Sequence, residues 1–481
     1  MGWLTKFFVS FSKLIINFSA IYILTSCIEF VALCFDIYIP FEFTFIVFFI
    51  LYLTINKIFK LRSFGVFLFE KFYKYKTYLA FVVMSLVLLL IGGEVIKAKK
   101  VFDVVSYYSD YSHSDPDYAN RDSSKLFEIS SIDSTKRKVF TDWLNVNGKT
   151  PLDYILKKVS EHQVVILGEM HDISNHLVFL NKIIPVLYNN GVRVIAMEVC
   201  LSEDDELLEK LVNGEKYDKD LALEIARHQP WLIWGSKDYW DVLESVWKLN
   251  QSLKPNQEKM KIVGLESNNN IASFVLTFSG EDGKPSPFYE KFRLFRALKA
   301  IPGFLYRDEL MAKQIEEKII NKNKKGIVLV GAAHSFPNFK QDQFGKGRMG
   351  YILNKKFGDK IFQIYLHENY DSELIAKFMD NVISKSNFKQ VGFDVISSPF
   401  GLLRDSSAYD FKNRSLVNFA DIASGYLYLC PIDSFKHCKF IPNFVKQETF
   451  IKEKPFFEAV VGKPFKNAKE LNEYYVNKFN Q

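Results

Sequence analysis

The chain has 481 residues, enough for one large domain and an accessory region, and aromatic residues make up 16% of it. Lys and Arg exceed Asp and Glu by seven, 62 against 55, and this surplus clusters beside apolar segments, which marks membrane topology rather than a nucleic-acid footprint. No stripe of interleaved basic and aromatic residues is present, so nucleic acid is set aside as a partner.

Three apolar stretches occupy the first hundred residues. The first, 14–34, is interrupted only by Glu29, and the second, 37–56, only by Glu42. The third, 77–93, reads TYLAFVVMSLVLLLIGG without a charge, close to the length of about 20 residues that a helix needs to cross a bilayer. The region 1–98 is therefore expected to hold about three transmembrane helices, unless one of them lies in the interface. Glu29 and Glu42 would then mark contacts inside the membrane. The loop before the third stretch carries Lys57, Lys60, Arg62, Lys71, Lys74 and Lys76 against Glu70, which assigns it to the cytoplasm. Lys6 and Lys13 put the N-terminus on the same side. The third span then delivers everything after Lys100 outside, although Lys97, Lys99 and Lys100 oppose this. The expected product is a multi-pass protein of a bacterial inner or plasma membrane, held in the lipid bilayer, with an extracytoplasmic C-terminal domain.

Residues 99–145 read as a linker, because 101–134 are rich in Ser, Asp and Tyr without sustained periodicity. A folded domain is expected over 146–481. Thr150-Pro151 is a helix start, with an N-cap residue before proline at the first helical position. Strands and helices then alternate: VVIL at 164–167, a helix over 175–190 stopped by Gly191, VRVIAM at 192–197 and a helix from Ser236 to about Leu253. KIVGL at 261–265, an amphipathic helix over 307–321, IVLV at 327–330, KIFQIYL at 360–366, a strand over 390–396 and GYLYLC at 425–430 follow. This order predicts an α/β fold, a mostly parallel sheet flanked by helices. VVILGEMH and IVLVGAAH echo one another, each a strand followed by Gly-x-x-His. Cys430 and Cys438 are near enough in sequence to form a disulfide or to stay as two buried thiols.

Ligands of such sheets bind outside the carboxyl ends of the strands, and those ends carry Glu169 and His171, Glu198, Glu266, His334 and His367. Any one of these could be a helix cap or a solvated loop residue, but their succession points to one pocket. His176 adds an imidazole to the densest cluster, 168–176. Imidazole with carboxylate suits Zn, Fe or Mn, with His171, His334, Glu169 and Glu198 as ligands. The same groups suit metal-free acid–base catalysis, in which Glu orients a His that activates water. Arg307 is placed to hold an anionic group or a developing oxyanion. Trp231, Trp234, Tyr239 and Trp240 form either core or the wall of an apolar ligand site. No P-loop, no Gly-x-Gly-x-x-Gly and no Ser nucleophile elbow occurs, which argues against nucleotide binding and a Ser hydrolase.

LGEMHDISNH at 167–176, AMEV at 196–199, YRDELMAKQIEEKI at 306–319 and LVGAAHSF at 329–336 resemble the superfamily of ChaN haem-binding, erythromycin-esterase and TraB/Tiki proteins. The resemblance spans roughly 146–370, and its Gly-Glu-x-His-Asp…His form is most similar to ChaN-like proteins. It implies a site made of Glu169, His171, Glu198, Arg307 and His334. It also implies either hydrolysis of an ester, lactone or peptide, metal-assisted or not, or haem binding through His171, His176 and His334 by a protein of haem or iron uptake that forms homodimers. No tyrosine counterpart of the haem-holding residues outside the motif can be placed, and Glu266 stands where the esterase branch would have Asp. The leading expectation is a hydrolase acting on a small-molecule or peptide substrate.

Overall fold

A computed structural model describes residues 126–229, 232–267, 307–340, 347–369, 372–407 and 417–479. The three apolar stretches expected to span the membrane lie outside these residues. Among the described residues no helix is long and apolar enough to cross a membrane.

The first elements are strand β1 (Phe127–Glu128) and helix α1 (Ser134–Asn147), capped by the Asp133 side chain accepting from Lys136 N. Of the expected linker over 99–145, the part from 126 onward is thus folded, and 99–125 lie outside the described residues. Phe140 and Leu144, one helical turn apart, are buried with Phe378, Met379, Phe393 and Phe400, and the Phe140 ring meets those of Phe378 and Phe400 edge-on at 5.0 Å. The domain therefore starts by Phe127. The charged residues of STKRKVFTDWLNVN hide a two-residue apolar anchor that is worth about 1.5–3 kcal/mol per side chain.

Helix α2 (Pro151–Glu161) starts as its sequence predicts, with the Thr150 side chain accepting from Asp153 N and proline in the first turn. Next come β2 (Val164–Glu169), α3 (Ser174–Asn189), β3 (Val192–Leu201), α4 (Asp205–Asn213), α5 (Lys219–His228), α6 (Lys237–Ser252) and β4 (Lys261–Glu266). Helix α7 (Arg307–Ile315) continues into a π-helical turn, Glu316–Ile320, and leads to β5 (Lys325–Gly331) and the short α8 (Ala332–Ser335). The chain continues with α9 (Met349–Phe357), β6 (Ile361–Leu366), α10 (Glu373–Ser384), β7 (Val391–Asp394), β8 (Leu403–Arg404), α11 (Phe419–Ile422) and β9 (Gly425–Tyr428). Helices α12 (Gln447–Val461) and α13 (Ala468–Phe479) follow.

Seven strands form the main sheet in the order β4-β3-β5-β2-β6-β9-β7, with every pair parallel except β7 with β9. The two strands with the echoed motif are neighbours, and their register pairs Glu169 with Gly331. Strand residues alternate between faces. Val165, Leu167, Ile195, Met197, Ile327 and Leu329 pack into the cluster that includes α3 and α6. Val164, Ile166, Val194, Ala196, Val328 and Val330 pack against α7 and α9. Truncating one of these side chains to Ala, as in Leu167→Ala, costs about 2–5 kcal/mol.

Strand β3 runs past its expected end at Met197 to Leu201. Its register with β4 shifts between Met197 and Leu201, so Glu198 sits in an irregular stretch, a device that re-aims side chains beside a site. Gly264 on β4 lies so close to the Leu201 carbonyl that a side chain would not fit. Cys200, Cys430 and Cys438 are free thiols. The Cys438 backbone is instead tied to the loop after β2, where its N donates to Asp172 O at 2.9 Å.

Candidate functional site

Glu169 is the last residue of β2 and is buried. Its Oε1 accepts from Tyr239 Oη at 2.8 Å and from His171 Nδ1 at 3.2 Å. Its Oε2 is buried without a partner among the described residues, and burial raises its pKa above the usual carboxylate value. Because a carboxylate accepts, the bond fixes the proton of a neutral His171 on Nδ1 and leaves the Nε2 lone pair free. Nε2 points toward β5: a methyl group built on Gly331 would stand 2.8 Å from it. The Trp234 ring meets the imidazole edge-on at 4.6 Å, and 30% of the side chain remains exposed. Burial works against protonation of His171, but the charge of Glu198 and the bond that His171 donates to Glu169 outweigh it, so its pKa is raised.

Glu198 joins this group to a second one. Its Oε2 accepts from Gly331 N at 2.7 Å, and its Oε1 lies 4.0 Å from His171 Nε2 and 3.7 Å from His334 Nε2. Arg307, at the start of α7, donates from one terminal nitrogen to Glu198 Oε1 at 2.5 Å, from Nε to Glu266 Oε2 at 2.5 Å and from the other terminal nitrogen to His334 Nε2 at 3.0 Å. Burial alone would raise the Glu198 pKa, yet the Arg307 guanidinium, with His334 and His171, holds it down at about 2. Burial prevails at Glu266, whose pKa is raised. Since Arg307 can only donate, His334 Nε2 accepts, and the ring carries its proton on Nδ1, which donates to Asp308 Oδ1 at 2.8 Å. Asp308 also accepts from Met349 N at 2.8 Å and from Arg348 at 3.3 Å.

The structure thus brings Glu169, His171, Glu198, Glu266 and His334 from the strand ends together with Arg307 from the start of α7. It does not bring in His176, which is buried on α3 with Nε2 donating to the His367 carbonyl at 3.1 Å. Burial pushes its pKa down to about 3. His367 is likewise structural, held by Tyr426 Oη at 2.5 Å and Asp380 at 3.2 Å. Trp231 lies outside the described residues, and Trp240 packs in the core, its Nε1 donating to Trp234 O at 2.6 Å. Sequence reasoning misses Tyr239, which passes for one more ring of an aromatic cluster. It also misses Asp308, whose place in the first turn of a helix looks like an ordinary response to the helix dipole.

The expected metal set finds no support in this arrangement. Among the described residues no group of three or more His, Cys, Asp and Glu side chains could hold an ion. The physical reason is Arg307, which fills the space between Glu198, Glu266 and His334 as a fixed cation and takes the lone pair that a metal would need. The haem reading narrows in the same way. His334 spends both ring nitrogens on Asp308 and Arg307, and His176 is enclosed, so neither can serve as an axial ligand. Of the three imidazoles expected to hold haem, His171 is the one that combines a nitrogen free of hydrogen bonds with a partly exposed side chain.

A family described as "Haem-binding uptake, Tiki superfamily, ChaN" matches residues 155–277. No curated protein matches the chain by sequence. Among solved structures, ChaN of Campylobacter jejuni, described with cofacial haem binding, is 19% identical. It matches over 45% of this chain and 86% of its own length, with a TM-score of 0.30. The erythromycin esterase EreC is 12% identical, over 59% of this chain and 97% of its own, with a TM-score of 0.39. A protein from Bacillus cereus is 11% identical, over 61% and 97%, also at a TM-score of 0.39.

Proposed function

From a domain whose residues 155–277 carry the signature of the ChaN-type Tiki superfamily, we propose a hydrolase of neutral acyl compounds (ester, lactone or peptide) with His171 as its general base. The observation that carries this is the Glu169–His171 pair, in which one ring nitrogen is tied to a buried carboxylate and the other is free at a partly exposed position. In this reading Nε2 takes a proton from water, and the water oxygen adds to the acyl carbon. The Arg307 N–H groups not bonded to Glu198, Glu266 or His334 steady the negative charge that develops on the acyl oxygen. His171 then returns the proton to the leaving group as the acyl bond breaks. Tyr239 holds Glu169, and Asp308 with His334 holds Arg307.

The test is turnover of a panel of aryl esters, lactones and peptides by the full chain and by His171→Ala. The variant should lose about 10²–10⁴-fold in kcat/KM while still folding. Activity retained in a folded His171→Ala protein sinks the assignment.

A second reading is favoured by the family description and by the open nitrogen of His171: a haem-binding protein of haem uptake, with His171 as the sole ligand from the motif. Haem titration followed by visible absorbance separates the two. A saturable Soret band lost in His171→Ala but kept in His334→Ala supports haem. No band leaves the hydrolase. We extend the proposal to location, with 1–98 as a multi-pass anchor and the domain outside the cytoplasm. Protease added to spheroplasts should digest the domain. A protected domain reverses the orientation.

A further inference from the structure

The segment 436–441 lies outside the residues matched by the family, yet it is built into the loop that carries His171. On one side Ser174 N donates to Lys436 O at 2.7 Å, Lys436 N to Asn175 Oδ1 at 2.7 Å and Cys438 N to Asp172 O at 2.9 Å. Ile173 and His437 form an antiparallel bridge. On the other side Lys237 N donates to Lys439 O at 2.7 Å, Lys439 N to Asp238 Oδ2 at 2.9 Å and Ile441 N to Gly235 O at 2.8 Å. The segment thus fastens the loop after β2 to the start of α6, which supplies Tyr239.

Asp172, next to His171, is where these ties converge. Its φ of 76° is in the left-handed region that residues other than Gly rarely adopt. Its carboxylate accepts from His437 Nδ1 at 2.8 Å and from Cys438 N at 3.2 Å, and its own N donates to Tyr239 Oη at 3.1 Å. The same Tyr239 hydroxyl donates to Glu169. A change in the Asp172 turn therefore moves both the backbone of His171 and the tyrosine that orients the Glu169 carboxylate.

We propose that Asp172 and His437 are positioning residues. The strap 436–441 holds Asp172 in its left-handed turn, and that turn aims His171 Nδ1 at Glu169 and Nε2 toward Gly331 and Glu198. The meaning of this for catalysis rests on the general-base reading above, whereas the geometry is measurable without turnover.

The experiment uses the full chain and follows carbethoxylation of His171 by diethyl pyrocarbonate across pH, read residue by residue by mass mapping. Asp172→Gly permits the turn but removes both side-chain ties. Its His171 should titrate at lower pH than in the parent protein, and kcat should fall at least about tenfold with little change in KM. His437→Ala should shift the profile in the same direction by less, and His437→Gln, whose amide can donate to the same carboxylate, should restore it. An unchanged His171 profile in Asp172→Gly and His437→Ala overturns the proposal. Should Asp172→Gly fail to fold, the His437 pair carries the test alone, since that side chain is 61% exposed. A shifted profile together with full turnover by His171→Ala would keep the positioning and discard the base.

Discussion

The two copies of Gly-x-x-His end neighbouring strands, yet their imidazoles meet opposite surroundings. His171 has one nitrogen on Glu169, an indole edge beside it and the other nitrogen open. His334 is buried, with Asp308 on one nitrogen and Arg307 on the other. The same strand–turn pattern thus leaves one imidazole with a nitrogen free of hydrogen bonds and makes the other a prop for a guanidinium. The motif decides where each ring stands, and its facing residue decides what the ring can do.

Substituting across this divide gives the largest contrast. Arg307→Ala leaves Glu198 and Glu266 buried without their cation and should destabilise the domain by about 3–5 kcal/mol. His171→Ala should cost about 1 kcal/mol or less. Chemical unfolding of the two variants checks this, and equal losses would erase the distinction.

His176 sharpens the comparison as an enclosed imidazole with no charged partner. It titrates near 6.5 when unfolded and at about 3 when folded. Between these values the unfolded chain takes up a proton that the native state refuses. Its contribution is therefore complete above about pH 6.5 and declines as pH falls, by up to about 1.4 kcal/mol per pH unit. Unfolding free energies measured from pH 7 to pH 4.5 should show this slope, flattened in His176→Gln.

The open half predicts a kinetic limb. Only neutral His171 is a base, and against the effect of burial its pKa is raised by the charge of Glu198 and by the bond to and charge of Glu169. The rising limb of kcat/KM should therefore lie above the ordinary histidine value of about 6.5. Glu198→Gln should move it to lower pH, and a limb that stays in place would mean Glu198 serves Arg307 alone. The smallest effect is expected from Gly331→Ala, whose methyl would press on His171 Nε2. A destabilisation of about 1 kcal/mol, with a measurable drop in His171 reactivity, would confirm the close approach.

Much of the sheet was legible because its strands are buried on both faces and read as unbroken Val, Ile and Leu runs. Glu169, Glu198 and His334 followed from those runs, since polar residues after such strands have few places to go. Pairing was not legible. Nothing near Arg307 in sequence names Glu198 and Glu266 as its partners, and Tyr239 hides its hydroxyl among neighbouring indoles. The left-handed turn at Asp172 depends on residues 265 and 266 positions further along the chain. Helix α1 was missed because two buried residues set in a charged stretch give too weak a periodic signal.

The strap 436–441 also has a consequence in time. The strand carrying Glu169 pairs with β5 and β6, and the loop carrying His171 is tied down by 436–438. At a ribosomal rate of roughly 5–20 residues per second, the interval between these segments is on the order of tens of seconds. For that interval the nascent chain holds its imidazole and carboxylate without the frame that couples them. A site assembled this way is complete only once nearly the whole domain has been made, so a fragment released early would carry the motif without the frame that fixes His171.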